Sequence, residues 1–465
     1  MVPRPSPVPS PAPSGPPVGS PSAAPSGPPL GTVPSVATLL VTGNPADGDF
    51  LATEILAALD RAIRPTLQAG AVVRYGAIAP LPQALAAGFE TTYTVPVTIA
   101  GAAGVPPLEA TASVTVANQG LAGFDPVVLA LDDDPEYIHG EGVLFRVTTD
   151  AARPLRVYYY HENVAAARRL FVVLGAQSDT RVQIVHAPGG PSIDVMSVGH
   201  SVSRAFVVAQ PANEGIVVDV VAGIPFVLRD AAIQPGDGIA GAVDIRVLVG
   251  GPVTATVLAL APGADPAAFV SAPKLPDDGH NRHGTFALGA AGERTVAFTI
   301  GGPDASVEYG ERSHGPQNVD PADPGRDAGD YGVLQRIAFD VDNPGAAPAT
   351  IYLYEQPVGG VVRNSFLVNG ALVDVGCARL SQHYQIAAAQ VAARSTTTLH
   401  VVSMADGGSN YPLEVGVTTT PPLPTTPPLA APDGCFPKPG AIPTLAPAGT
   451  GPPPSPSAAP VPAPT

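Results

Sequence analysis

Between residues 35 and 125 the apolar positions change period more than once. The run "VATLLVTG" (36–43) is almost unbroken apolar up to a glycine, which predicts a short buried strand. In "FLATEILAALDRAI" (50–63) the period becomes helical, and Leu51, Ile55, Leu59 and Ile63 stack along one face. Asp49 is the expected N-cap, and Pro65 lies just past the periodic run, where helices tend to stop. Strand-like runs follow at 71–78, 91–101 and 110–118. Residues 35–125 are therefore expected to form a small α+β unit. The "GNP" turn before the helix lacks the Gly/Lys/Ser spacing of a phosphate loop.

From about residue 130 onward no helix is predicted, and period-2 runs alternate with turn signals. The pattern occurs twice. "RRLFVVLGAQSDTRVQIVHAPGG" (168–190) aligns with "QRIAFDVDNPGAAPATIYLYEQPVGG" (335–360), and each ends in a proline ahead of Gly-Gly. "GVLFRV" (142–147) pairs with "HGTFAL" (283–288), and 235–249 with 392–404. Two diverged copies follow, at 130–262 and 273–417. About seven short strands per copy predict tandem β-sandwiches of immunoglobulin-like type in a mainly β protein. The Cys…Trp…Cys core of antibody domains is excluded, because the chain has no tryptophan.

"RVYYYHEN" (156–163) is the most polar of these strands. Alternation puts Arg156, Tyr158 and Tyr160 on one face, and Val157, Tyr159 and His161 on the other. Tyrosine suits a half-buried sheet surface, where the ring packs and the hydroxyl reaches water. His161 and Glu162 point to opposite faces, so they are not expected to act as a pair. The counterpart in the second copy is taken as "TVAFTI" (295–300), which carries no such set.

Composition adds the ends of the chain. Of its 58 prolines, 13 lie in 1–34 and 17 in 418–465. Such stretches carry too little apolar surface to offset the entropy of ordering, so both are expected to be extended and disordered. The formal net charge is −16 and only two lysines occur, Lys274 and Lys438. That balance argues against nucleic acid or an anionic membrane surface as partner. No transmembrane segment is predicted, and no leader is visible at "MVPRPSPVPS". Ser/Thr/Pro tails of this kind nevertheless resemble cell-surface stalks. Cys377 and Cys435 are too far apart for a metal cluster, and would form one disulfide in an exported protein.

Candidate chemistry is confined to loops. "HGPQNVDPADPGRDAGD" (314–330) is an insertion in the second copy, and Asp320, Asp323, Asp327 and Asp330 could wrap a hard cation such as calcium. Its spacing is not that of an EF-hand, and Arg326 offers internal charge pairing. "DDGHNRHG" (277–284) offers Asp277, Asp278, His280 and His283; a transition-metal site on the two histidines, His280 and His283, needs a third ligand, for which His314 is a candidate. "DDDPE" (132–136) is expected to be a solvated linker or turn. No nucleophile elbow is present.

"DDDPEYIHGEGVLFRV" (132–147), "LRVYYYHENVAAARRLFVVL" (155–174) and "GDYGVLQRIAFDVDNPGAAPATIYLY" (329–354) resemble segments of uncharacterised bacterial secreted or cell-envelope β-sandwich proteins. The resemblance covers roughly 130–375 and implies sandwich modules outside the cytoplasm, extracellular or at the cell surface; it implies no activity. The expected function is a non-catalytic structural or adhesive protein that contacts envelope or extracellular protein or glycan. The alternative is a calcium-stabilised carbohydrate- or ligand-binding module with Tyr158–Tyr160 as its aromatic platform.

Overall fold

A computed structural model describes residues 30–424, apart from 102–104, 281, 290 and 311–314. Strand accounts for 50% and helix for 10%, so strand pairing sets the architecture. The first elements are β1 (Val36–Thr42), α1 (Gly48–Ile63), β2 (Val72–Tyr75), β3 (Glu90–Ala100) and β4 (Leu108–Asn118). Leu51, Ile55, Leu59 and Ile63 of α1 are all fully buried, as their spacing predicts. The N-cap is Asp47 rather than Asp49: Asp47 has extended backbone, and its carboxylate folds back to accept from the Asp49 amide at 2.8 Å. Asp49 instead sits in the first turn, where a negative charge suits the helix dipole.

Next come β5 (Val128–Asp132), β6 (Tyr137–Ile138), β7 (Gly142–Thr149), β8 (Leu155–Asn163), β9 (Arg168–Ala176), β10 (Thr180–Ser192), α2 (Val195–Ala212), β11 (Gly215–Val220), β12 (Phe226–Ile233), β13 (Gly238–Val249) and β14 (Val253–Leu260). The remainder is β15 (His283–Ala287), β16 (Glu293–Thr299), β17 (Ala305–Tyr309), β18 (Leu334–Asn343), β19 (Ala349–Pro357), β20 (Val362–Val368), β21 (Ala371–Ala378), β22 (Tyr384–Val391), β23 (Ser395–Met404) and β24 (Leu413–Thr418).

In the first repeat the sheet β5-β8-β13-β10-β11 faces the sheet β7-β14-β9-β12. The second repeat follows the same plan, with β16-β18-β23-β20-β21 facing β17-β24-β19-β22. A parallel contact recurs at the same place, β5 beside β8 and β16 beside β18. Setting aside that added strand, each repeat is eight antiparallel strands that alternate between sheets except at one adjacent pair, β10 and β11 across α2 in the first repeat and the hairpin β20–β21 in the second. That is the order of a jelly roll, not the immunoglobulin-like order expected.

The strand order is therefore duplicated; 235–249 and 392–404 are equivalent as aligned, being β13 and β23, but the alignment of 168–190 with 335–360 slipped by one strand. The partner of β18–β19 is β8–β9, not β9–β10, because a one-strand slip keeps the alternation intact and looks equally good in sequence. Two asparagines mark the true register. Asn163 donates to the carbonyls of Ala166 and Ile233 and accepts from the Ala165 amide. Asn343 donates to those of Ala347 and Val391 and accepts from Gly345. Ile233 and Val391 are the last residues of the equivalent strands β12 and β22. Asn163→Ala and Asn343→Ala should each lower stability by about 1–3 kcal/mol, since buried carbonyls lose their donor. Urea midpoints of the single and double variants should show the two losses adding, because the sites lie in different repeats.

The N-terminal elements extend the first repeat. β1 pairs antiparallel with β11 and parallel with β4, so the sheet runs on through β1-β4-β3-β2. At its other edge β15, from the second repeat's side, pairs with β5. The Pro-rich ends lie mostly outside the described residues, yet Leu30 is buried and Leu423 bridges to Tyr384, so packing reaches past both expected boundaries at 34 and 418.

Helix α2 corrects the expectation of no helix after 130. Its β-branched residues suggest strand, although Asp194 caps the start and Asn213, at φ 56°, closes the end. The helix packs Val198, Val202, Phe206 and Val207 into a core shared by Tyr158 and Tyr160 of the first repeat and Val333, Leu334 and Met404 of the second. Two glycines permit this contact: a Cβ on Gly199 would lie 1.9 Å from the Gly407 carbonyl oxygen.

Candidate functional site

The acidic run at the end of β5 is enclosed, not solvated. Asp132, Asp133 and Asp134 are at most 4% exposed, because β15 covers the β5 edge and the segment before it folds over the turn. Asp132 and Asp133 take different partners. Asp132 Oδ2 is 3.1 Å from His161 Nε2, whose Nδ1 lies 2.8 Å from the Pro135 carbonyl oxygen. A carbonyl only accepts, so Nδ1 must carry a proton. Burial disfavours the charged imidazole, but Asp132 outweighs it and the His161 pKa is raised. Arg282 donates to Asp133 Oδ2 at 2.6 Å and also to Glu136. Burial pushes the Asp133 carboxyl well above its usual range, with Arg282 opposing.

Alternation in β8 holds as predicted, but both faces are covered. Val157 and Tyr159 enter the first sandwich core, while Tyr158 and Tyr160 face α2 and the second repeat. The three tyrosines are at most 6% exposed, so they cannot serve as an open platform for sugar stacking. His161 and Glu162 do not converge; the partner of His161 is Asp132.

Of the carboxylates of the 314–330 insertion, Asp327 and Asp330 lie close enough to repel each other, and Asp320 and Asp323 take other partners. Asp320 accepts from the Ala322 amide, and Asp323 meets His283. Asp327 accepts from the Tyr331 amide while its other oxygen is buried without a hydrogen bond, and Asp330 accepts from the Gly310 amide. Among the described residues, the four aspartates expected to bind calcium do not gather around one centre. His314 and Cys435 lie outside the described residues; Cys377 is disulfide-bonded.

A different group does gather. Asp134, Asp277 and His283 each present one ligand atom, all within 4.8 Å of one another. His280, predicted alongside His283, turns to Asp278 at 2.6 Å. Asp278 also accepts from the Tyr137 amide, and these bonds outweigh burial to hold its pKa near about 2.

On α2, His200 Nδ1 is 2.8 Å from Asp406, and Ser203 donates to the same carboxylate. Serine, histidine and aspartate are thus together, but the Ser203 hydroxyl meets the backbone carbonyl of His200 and the Asp406 carboxylate, not the imidazole, so the order is not that of a Ser-His-Asp triad. These groups, with Arg204 on Asp374 at 2.9 Å and Arg363 on Ser197 at 2.7 Å, pin the helix to the second repeat.

No protein-family model matches the chain, and no curated protein matches it. Among solved structures, Lac15 from a marine microbial metagenome is similar at 12% identity over 71% of this chain and 72% of that one, with a TM-score of 0.13. Tripeptidyl peptidase 2 is similar at 12% identity over 76% and 29%, with a TM-score of 0.16. The tandem CBM22-1–CBM22-2 domain of Paenibacillus barcinonensis Xyn10C is similar at 10% identity over 76% and 92%, with a TM-score of 0.12. Likeness this low carries no argument about activity.

Proposed function

We propose that this chain is a non-catalytic structural or adhesive module of an exported protein, in which two related sandwiches act as one rigid strut. The observation that supports this reading is the enclosure of the reactive side-chain types. His161, the acidic run and the three tyrosines hold the molecule together and do not line an open cleft. The disulfide at Cys377 fits an oxidising compartment. The Pro-rich ends would tether the strut.

The test uses the full chain, labelled and offered to intact cells and to a glycan array. Saturable cell binding with a silent array is expected. Turnover that co-purifies with the protein on a panel of hydrolase and oxidase substrates would overturn it. A second reading, a ligand-binding module stabilised by a cation, draws on the Asp134/Asp277/His283 group; a positive array would favour it.

A further inference from the structure

We infer that Asp134, Asp277 and His283 form a divalent transition-metal site that staples the segment between the repeats onto the end of β5. The three residues come from two distant stretches of chain and bring their ligand atoms within 4.8 Å of one another. The second observation is the state of His283, whose side chain is 8% exposed. Its Nε2 lies 2.7 Å from Asp323 Oδ1, so the proton belongs on that nitrogen. Nδ1 is buried, makes no hydrogen bond among the described residues, and sits 3.3 Å from Asp134 Oδ2. In the neutral tautomer its lone pair then faces a carboxylate. A proton on Nδ1 or a metal ion between the two atoms relieves that contact, and a metal ion would in addition engage Asp277.

A carboxylate behind the distal nitrogen of a ligating histidine is the usual support for a bound metal, and Asp323 occupies that place. One imidazole and two carboxylates suit Zn²⁺ or Mn²⁺, with water completing the shell. Calcium prefers six to eight oxygens and gains little from a histidine. The existing partner of Asp277 does not prevent this, because Lys274 sits 3.0 Å away in a half-exposed pair that is weak and easily exchanged. The inference is independent of whether the module adheres to cells.

The experiment is titration of the chelator-treated full chain with Zn²⁺, Mn²⁺ and Ca²⁺ by calorimetry, together with thermal melts. One Zn²⁺ or Mn²⁺ per chain should bind at least about tenfold more tightly than Ca²⁺ and raise the melting temperature. Asp277→Asn changes an exposed side chain, so its metal-free melt should match the parent while metal affinity falls about tenfold or more. Asp320→Asn, elsewhere in the insertion, should bind as the parent does. His283→Gln should abolish binding, and if it also unfolds the chain, Asp277→Asn still decides. Equal binding by the parent and Asp277→Asn would overturn the site, as would no binding at all. Tighter binding of Ca²⁺ than of Zn²⁺ and Mn²⁺ would overturn the assigned metal class.

Discussion

Arg156→Ala is expected to lower the unfolding free energy by about 3–5 kcal/mol, among the largest single losses available to this protein. The guanidinium donates to both oxygens of Asp244, at 2.7 and 2.8 Å, and the two side chains are 2% and 0% exposed. Its remaining arm reaches the Gly332 carbonyl of the second repeat at 2.9 Å, and the group lies 4.7 Å from the Phe206 ring centre on α2. Removing it strands a carboxylate where burial already pushes the pKa up against the pull of Arg156. Arg156→Met combined with Asp244→Leu should recover much of the loss, because no lone charge remains. Chemical denaturation of both singles and the double gives the coupling directly. Measured additivity would refute the argument. Arg336 stands at the equivalent place, seven residues before its own asparagine, but is 32% exposed and pairs with Asp125 and Glu293. Arg336→Ala should cost under about 1 kcal/mol.

Glu355→Gln should stabilise the protein at neutral and alkaline pH. Glu355 is fully buried, and among the described residues its Oε1 makes no hydrogen bond while Oε2 accepts a 3.3 Å bond from Asn364. Burial, opposed by the Asn364 bond and reinforced by Asp406, pushes its pKa from 4.5 up to about 8. The folded state then holds a proton that the unfolded chain releases. The contribution is fully present below about pH 4.5 and is lost as pH rises through about 8. The shift corresponds to on the order of 5 kcal/mol as an upper bound. Urea midpoints at about pH 6 and about pH 9 should fall for the parent and hold for Glu355→Gln. Parallel curves for the two proteins would show that Glu355 does not govern this loss.

The strand β8 shows how far a sequence reaches. Its alternation correctly divided Tyr158 and Tyr160 from Tyr159 and His161, yet the half-buried face turned out to be covered by α2 and the second repeat. The candidate site followed the same course. His280 and His283 were read as a pair of metal ligands in need of a third, with Asp277 only one of the acids beside them, and Asp134 was taken as part of a solvated linker. Asp134 and His283 are neighbours only because β15 crosses over to pair with β5. Helix α2 was overlooked although Asp194 and Asn213 marked its ends, since its β-branched residues weigh toward strand.

What the sequence determined by itself was local and periodic: the helix over 50–63, the strands around it, a mainly β remainder and the presence of two related copies. Those follow from steric and hydrophobic rules that act over a few residues. The tertiary structure alone decided the jelly-roll order, the one-strand register between copies, and which polar groups meet in the interior. Periodicity says which side chains share a face; what lies against that face depends on segments 88 and 176 residues away in the case of Arg156.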